Sequence, residues 1–350
     1  MVKEYGYEYD AELESSIRER TEGKTTEEKL WGAYCLRSGR DALKAIAREY
    51  MPRIAFLPAL ACDSMVFPFE MYGHQIKYYK LNRDYSIDLD SLEIGEAPVF
   101  FLYMEYFGRT AITDTELGKI RQKGNVIIIE DRTHTLIWER SSSFQPDYII
   151  ASLRKWIPVP DGGLLWGNIY KPFGTDTSFS ELRLQAQCMR HEYLECGEEE
   201  LKTEFRKIFS EVSGIMDHDE PSAMTAYSYA LAQKTDWENI RSKRMENARV
   251  LTSILRESPC ITLIQEQPGL SDLYVAFTVD NRDDVQKRLS SEGIFNTIIW
   301  PISDEQKAAC DVAKITEQNM LAAPCDQRYT IDDMNYIGKE IVRIAAYVNR

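Results

Sequence analysis

Two residues capable of acid–base and covalent chemistry each follow a short apolar run. Asp131 ends the run Val126-Ile-Ile-Ile-Glu-Asp131, and Lys155 lies shortly after the run Tyr148-Ile-Ile-Ala151. Continuous β-branched runs of this kind are typical of strands that are buried on both faces. Because ligands bind beyond the carboxyl ends of strands in open α/β sheets, both side chains are expected in one crevice.

Each of these residues also has an ordinary interpretation when it is considered alone. An Asp after a strand often caps a helix, and a single Lys is nearly always a solvated surface charge. Serine three residues before lysine, as in Ser152 and Lys155, also occurs in penicillin-binding proteins and serine β-lactamases. Those proteins need a downstream Lys-Thr-Gly strand, which this sequence lacks, so that alternative is rejected.

Two turns complete the pattern. Ser38-Gly-Arg-Asp41 precedes a helical pattern, and its glycine and free N–H groups form a seat for an anion at the helix N-terminus. Asp161-Gly-Gly163 returns the chain beside the lysine. An ordinary capped helix and a simple turn are the alternatives for these two segments.

The order of the four features narrows the chemistry. An anion seat, a strand-end carboxylate, a strand-end lysine and a Gly-Gly turn follow one another as in type I enzymes of pyridoxal 5′-phosphate (PLP). Such an enzyme needs Asp131 to keep the pyridine nitrogen protonated and Lys155 to form an imine with the cofactor aldehyde. Ser152 then offers its hydroxyl to the phosphate, and His134 reaches the edge of the cofactor.

At these residues the chain resembles the DegT/StrS family of nucleotide-sugar aminotransferases, which have the aspartate-aminotransferase fold. The resemblance extends from about residue 30 to about residue 255, with a weaker likeness to the end. The matching segments are Ser38-Gly-Arg-Asp-Ala-Leu43, Glu130-Asp-Arg-Thr-His134, Lys155 with Asp161-Gly-Gly163, Ala230-Leu-Ala-Gln233, Arg244-Met-Glu-Asn-Ala248 and Pro324-Cys-Asp-Gln-Arg-Tyr-Thr330.

The resemblance implies a homodimer that binds PLP and transfers the amino group of glutamate to a keto-sugar nucleotide, in polysaccharide or deoxyaminosugar biosynthesis. It implies that Lys155 and Asp131 are catalytic. The cofactor-binding residues that it implies are Ser38, Gly39, Arg40, Asp41, Asp131, His134, Ser152 and Lys155. No metal is expected.

Several positions depart from the family pattern. Ala61-Cys-Asp63 stands where the family usually has an aromatic residue that stacks on the cofactor, and Glu105-Tyr-Phe-Gly108 replaces His-Leu-Tyr-Gly. Arg40 replaces a threonine, and its guanidinium can add a phosphate contact. Two alternatives therefore stay open: a PLP-dependent sugar dehydratase, and a degenerate PLP-fold protein that binds a ligand without turnover.

The surrounding elements predict an α/β protein of the PLP-dependent transferase fold type I. We expect a large domain with a mostly parallel central sheet (residues 1–235) and a small C-terminal α+β domain (residues 236–350). The predicted buried strands are 54–57, 76–79, 99–103, 126–129, 148–151 and 164–166. Residues 222–257 predict two helices or one bent helix, 261–264 and 273–278 two further strands, and 283–292 and 331–347 two more helices.

The charge and the apolar content of the chain limit the classes of binding partner. A net charge of −14 over 350 residues disfavours nucleic acid, although local cations can still hold a small anionic substrate. No apolar run approaches the roughly 20 residues that cross a bilayer, and the start lacks the pattern of a signal peptide, so we expect a cytoplasmic protein without a membrane partner. Seven cysteines without a C-x-x-C pair predict reduced thiols, and Cys188, His191 and Cys196 are not expected to bind zinc.

Overall fold

The structure is a computed structural model that describes residues 2–11, 13–51, 53–139, 142–170, 173–216, 219–264 and 271–349. Its strands are β1 (Tyr5–Gly6), β2 (Lys29–Leu30), β3 (Ala33–Leu36), β4 (Ile54–Pro58), β5 (Gln75–Tyr79), β6 (Val99–Met104), β7 (Val126–Asp131), β8 (Tyr148–Ser152), β9 (Gly163–Trp166), β10 (Ile261–Leu263), β11 (Tyr274–Val279), β12 (Ile294–Phe295) and β13 (Met320–Pro324). Its helices are α1 (Ser15–Thr21), α2 (Gly39–Ala47), α3 (Asp63–Met71), α4 (Asp114–Gln122), α5 (Ser178–Cys196), α6 (Glu199–Ile215), α7 (Ala226–Lys234), α8 (Trp237–Arg256), α9 (Arg282–Ser291), α10 (Asp304–Ala309), α11 (Asp311–Asn319) and α12 (Ile331–Val348). Short 3₁₀ helices cover Leu89–Ser91, Tyr106–Gly108 and Leu153–Lys155.

One eight-stranded sheet forms the centre of the molecule, in the order β2-β3-β9-β8-β7-β6-β4-β5. The strands from β5 to β8 pair in parallel, whereas β9, β3 and β2 pair antiparallel. All six predicted buried strands belong to this sheet, and the predicted mostly parallel α/β fold is confirmed. Strand β7 is buried along its whole length because helices cover both faces of a parallel sheet.

Strand register fixes which side chains meet at the carboxyl edge of the sheet. Asp131 is paired with Met104 of β6 on one side and with Ile150 of β8 on the other. Next to β8 in the sheet, Gly163 at the start of β9 is paired with Ser152 at the end of β8 and with Leu36 at the end of β3. The turn that follows β3 therefore lies beside the ends of β7 and β8.

The C-terminal part contains a separate three-stranded antiparallel sheet, β10-β11-β13. Its apolar core includes residues of α8, α9 and α12. The predicted 222–257 segment forms two helices, α7 and α8, and the Asp236 side chain caps the second by accepting from the Asn239 N–H. The proposed boundary at 235 falls between them and stays a prediction, because apolar contacts run continuously across it.

Within the described ranges, none of the helices combines the length and apolar character that crossing a bilayer requires.

Gly163 provides a test of this architecture. A Cβ on this residue would lie 2.1 Å from the Ser38 carbonyl carbon and oxygen and 2.6 Å from the Gly39 nitrogen. Gly163→Ala should therefore lower the free energy of unfolding by about 3 kcal/mol, measured by urea denaturation. As the control, Gly118→Ala in α4, where a Cβ meets nothing within 4 Å, should be neutral or stabilising by about 0.5–1 kcal/mol. Equal effects of the two substitutions would contradict the close packing of the turn.

Candidate active site

A cavity of about 310 Å³ opens at the carboxyl ends of β6, β7 and β8. Its wall includes seven of the eight residues predicted from the sequence, namely Ser38, Gly39, Arg40, Asp131, His134, Ser152 and Lys155. They come from three separate segments of the chain, 38–40, 131–134 and 152–155. The fold thus brings together the strand-end carboxylate, the strand-end lysine and the turn before α2.

Asp41 is the predicted residue that does not line the cavity. Its carboxylate is fully buried and accepts hydrogen bonds from Arg37 Nε at 2.9 Å and Arg37 Nη2 at 3.0 Å. Its backbone N–H donates to the Ser38 hydroxyl, which caps α2. The side chains of Ser38 and Asp41 therefore stabilise the turn itself.

Asp131 is buried at the end of β7 and makes no ion pair with a described residue. Its Oδ1 accepts from the Thr133 N–H at 2.8 Å. Burial raises the pKa of Asp131 to about 6, although the contacts with Thr133 act in the opposite direction. The cavity therefore contains a carboxylate that would gain from a cationic or hydrogen-bond-donating partner.

Lys155 lines the cavity and is exposed in the single chain. It ends the 3₁₀ helix that follows β8. Its positive charge lowers the pKa of His134 and opposes the rise in the pKa of Cys62. Both of these residues also line the cavity. The Asp131 charge also acts on Cys62, so the carboxylate and the lysine both lie near this thiol.

His134 is neutral in this environment. Burial, and after it the charge of Lys155, lower the pKa of His134 to about 3. The Phe107 backbone N–H donates to His134 Nδ1 at 3.2 Å, which leaves the ring proton on Nε2. The Ser271 hydroxyl donates to the His134 carbonyl and fixes the backbone at this point. His134 is therefore a fixed hydrogen-bond donor at Nε2.

Close packing of two turns forms the anion seat. Gly39 and Ser152 lie so close that a Cβ on Gly39 would be 3.7 Å from the Ser152 Cβ. Arg40 donates from Nη2 to the Ser64 hydroxyl at 2.8 Å, and this contact joins the first turns of α2 and α3. Two helix N-termini and several hydroxyl groups therefore surround this part of the cavity, which suits a phosphate.

The Asp161-Gly-Gly163 turn is held from outside the cavity. The Asp161 carboxylate is fully buried and accepts from the Thr225 N–H and from the Thr225 hydroxyl, both at 2.8 Å. The Gly162 N–H donates to the Arg37 carbonyl, and the Leu153 N–H donates to the Gly162 carbonyl. The turn thus connects the anion seat to the 3₁₀ helix that carries Lys155.

The sequence analysis missed part of the cavity wall. Arg154 lines the cavity although only its neighbours Ser152 and Lys155 were selected, and its adjacency to them was the available signal. The C-terminal part supplies a largely apolar wall that has no local motif: Leu273, Tyr274, Thr297, Ile298, Ile299, Trp300, Met320 and Ala322.

Cys62 lines the cavity at the position where the resembled family usually has an aromatic residue. Burial raises the pKa of its thiol. Trp300 approaches the same region from the C-terminal part, and its indole N–H donates to the Leu60 carbonyl at 3.0 Å. An aromatic side chain thus lines the cavity near Cys62 from a distant part of the chain.

The described residues contain no group of three His, Cys, Asp or Glu side chains that could hold a metal ion. In the grouping of Cys188, His191 and Cys196, the histidine contacts a carboxylate: His191 Nδ1 lies 3.2 Å from Asp10 Oδ2.

Known structures share this fold. Spr1654 of Streptococcus pneumoniae, described as a sugar aminotransferase and solved in its PLP form, is 16% identical, with a TM-score of 0.71 over 99% of this chain and 100% of that chain. PseC of Helicobacter pylori, an aminotransferase of pseudoaminic acid biosynthesis, is 13% identical, with a TM-score of 0.68 over 99% and 100%. A DegT DnrJ EryC1 StrS aminotransferase from Brucella abortus is 15% identical, with a TM-score of 0.64 over 96% and 91%.

The TM-scores establish that the fold is shared. The expected resemblance to DegT/StrS aminotransferases is therefore confirmed for the fold. The sequence matches no protein-family model and no curated protein.

Asp131 should impose a pH-dependent cost on the ligand-free protein. Burial raises the pKa of Asp131 in the folded protein to about 6. Ionisation of Asp131 therefore lowers the free energy of unfolding: the loss is absent well below the ordinary pKa of an aspartate and is complete once the pH exceeds about 6. Asp131→Asn should therefore stabilise the protein more at pH 7.5 than at pH 4, by about 2 kcal/mol in the free energy of unfolding. Urea denaturation at both pH values measures this difference. The exposed Asp90→Asn variant should show no such gain, and an equal gain there would contradict the assignment.

His134 should stay neutral from pH 5 to pH 8 because its pKa is lowered to about 3. Imidazole ¹⁵N chemical shifts, assigned with the His134→Gln variant, should show a protonated Nε2 and an unprotonated Nδ1 across this range. A titration near pH 6.5 would show that the ring is solvated and not bound to the Phe107 N–H.

Proposed function

We propose that this protein is a PLP-dependent aminotransferase of the DegT/StrS type. The observation that carries the proposal is one cavity that combines a buried carboxylate, Asp131, with a lysine, Lys155, and an anion seat around Gly39 and Ser152. The charges complement PLP, whose ring nitrogen can carry a proton and whose phosphate is anionic. The solved structures with this fold include PLP and PMP forms, which supports the same cofactor here.

The residues fit this cofactor. Gly163 has no Cβ, which allows the Ser38–Gly39 backbone to lie against it and to form the seat for a phosphate. The Asp131 carboxylate, which forms no ion pair with a described residue, would stabilise a proton on the ring nitrogen by a charge-assisted hydrogen bond. Ser152 and Arg40 would add hydrogen bonds to the phosphate, and His134 would donate from Nε2 to an acceptor at the cofactor edge.

Bound PLP supplies an electron sink for the carbon that loses a proton. Lys155 Nζ would attach the cofactor aldehyde and, once released, would accept and return the proton of the substrate Cα. Asp131 would hold the proton on the ring nitrogen of the bound cofactor. The apolar wall from the C-terminal part excludes water from one side of the cavity.

For the overall reaction we propose glutamate as amino donor and a keto-sugar nucleotide as acceptor, in polysaccharide or deoxyaminosugar biosynthesis in the cytoplasm. The titles of the similar structures name sugar aminotransferases, which supports this substrate class. We also propose a homodimer, because Lys155 is exposed in the single chain and a second subunit would cover the open side of the cavity.

Lys155→Ala tests the proposal. The purified wild-type protein with PLP should absorb visible light, should bind PLP irreversibly after borohydride treatment, and should lose the absorbance when glutamate is added. Lys155→Ala should lose all three properties while its far-UV circular dichroism is unchanged, because the amine that attaches the aldehyde is absent. Lys207→Ala, which alters an exposed lysine of α6, should behave as wild type.

Mass spectrometry of the borohydride-treated protein locates the modified residue. Attachment of PLP to one specific lysine in Lys155→Ala would refute the role of Lys155. Specific covalent attachment in the wild type without a response to amino donors would favour the non-catalytic alternative.

A further inference from the structure

Arg154 is a cation in the cavity wall that the proposed mechanism does not use. It lies between Ser152 and Lys155 in the 3₁₀ turn after β8 and lines the cavity. Its Nε is buried and donates to no atom of the described residues. Within the same residues the guanidinium forms no ion pair. A half-buried guanidinium whose Nε has lost water and gained no hydrogen bond in return is costly.

The neighbouring charges do not compensate for the missing hydrogen bond and ion pair of Arg154. Burial, and next the like charge of Arg183, lower the pKa of Arg154 to about 10, and Arg40 acts in the same direction. Glu8 is the charge that most strongly opposes this lowering of the Arg154 pKa, but its carboxylate is bound by Arg183 Nη2 at 2.8 Å. The Asp161 carboxylate also attracts Arg154, yet its oxygens accept from Thr225.

A cation–π contact with an aromatic ring stabilises the Arg154 charge only weakly. The Arg154 guanidinium lies 5.6 Å from the centre of the Phe179 ring. Arg37 and Arg183 approach the same ring at 5.8 and 5.9 Å. One ring shared by three cations gives each of them a weak attraction, and the three cations repel one another.

We propose that Arg154 binds an anionic group, a phosphate or a carboxylate, of a small molecule held in this cavity. Locally, Arg40, Arg154 and Arg183 outnumber Glu8 and Asp161, in a chain whose net charge is −14. Arg40 and Arg154 of this cluster line the cavity, and two cations that face a cavity in an acidic protein are explained by an anion that enters it. A guanidinium suits either group because its parallel N–H donors match a pair of anionic oxygens.

Two sources of this chemistry fit the proposed function, on which this inference rests. The first is the cofactor phosphate, because Ser152 lies two residues before Arg154. The second is a carboxylate of the amino donor, because Lys155 is the next residue. Both sources place an anionic oxygen near the 3₁₀ turn, and binding measurements separate them.

The experiment compares Arg154→Met with wild type and with Arg288→Met, which removes an exposed arginine that packs over Tyr347 in the C-terminal part. Ligand-free Arg154→Met should be at least as stable as wild type, because a half-buried charge without an ion pair to a described residue is removed. Inorganic phosphate, glutarate, PLP and unphosphorylated pyridoxal serve as probes. Calorimetry and thermal shifts measure their binding.

The pattern of losses identifies the source. If Arg154 binds the cofactor phosphate, the affinity for PLP and inorganic phosphate falls about tenfold or more in Arg154→Met, and that for pyridoxal is unchanged. If it binds the donor carboxylate, the affinity for glutarate falls by a similar factor and PLP binding is unchanged. Arg288→Met should bind all four probes as wild type does.

Wild-type affinity of Arg154→Met for PLP, phosphate and glutarate would overturn the proposal. A second measurement uses the unaltered protein and does not depend on the folding of a variant. Phenylglyoxal should modify Arg154, and phosphate or glutarate should protect it, as mapped by mass spectrometry. Absence of protection by either anion would also overturn the proposal. An Arg154-dependent anion site in a protein that never attaches PLP would refute the aminotransferase function alone.

Discussion

Uncompensated charge in the cavity is the constraint on which the rest of this structure depends. Asp131 and Arg154 both face the cavity, and neither forms an ion pair with a described residue. Each lowers the stability of the folded protein unless a ligand supplies the opposite charge, Asp131 because it is buried and Arg154 because it is partly buried and its Nε donates to no described atom. The remainder of the fold must hold these groups in place against that cost.

The sheet holds them through backbone geometry. Asp131 is fixed by its register with Met104 and Ile150, so its position depends on two strand ladders and not on its own side-chain contacts. On the other side, Gly163 allows the Ser38–Gly39 turn to lie against β9. The Asp161–Thr225 hydrogen bonds hold this turn from outside the cavity. A displacement of any one ladder would separate the carboxylate from the anion seat.

This dependence on the backbone explains how much of the site could be predicted from the sequence. The buried strands are continuous apolar runs, and the residues after them are positioned by the fold class alone. Asp131, Ser152 and Lys155 could therefore be selected without a structure. Asp41 could not be separated from its neighbours, because its engagement by Arg37 depends on the helical turn that joins them.

Residues brought in by tertiary contacts could not be predicted. Trp300 belongs to no motif, and it reaches the cavity because its indole N–H binds the Leu60 carbonyl while Gln306 binds the carbonyls of Ala59 and Ala61. Arg154 was overlooked for a different reason. Its type and position were visible, but the absence of a partner is a property of the folded molecule.

The two sides of the cavity have different chemistry, and under the proposed function this difference would separate cofactor binding from substrate choice. The charged and hydroxyl-bearing residues belong to the central sheet and its turns, whose positions are fixed by strand register. The C-terminal part contributes mainly apolar side chains from residues 297–300 and from β13. Substitutions in that wall can change the shape offered to a substrate without moving Asp131 or the anion seat, because no ladder of the central sheet passes through them. Under the proposed function, the central sheet would therefore fix the cofactor geometry, whereas the apolar wall could be altered independently of it.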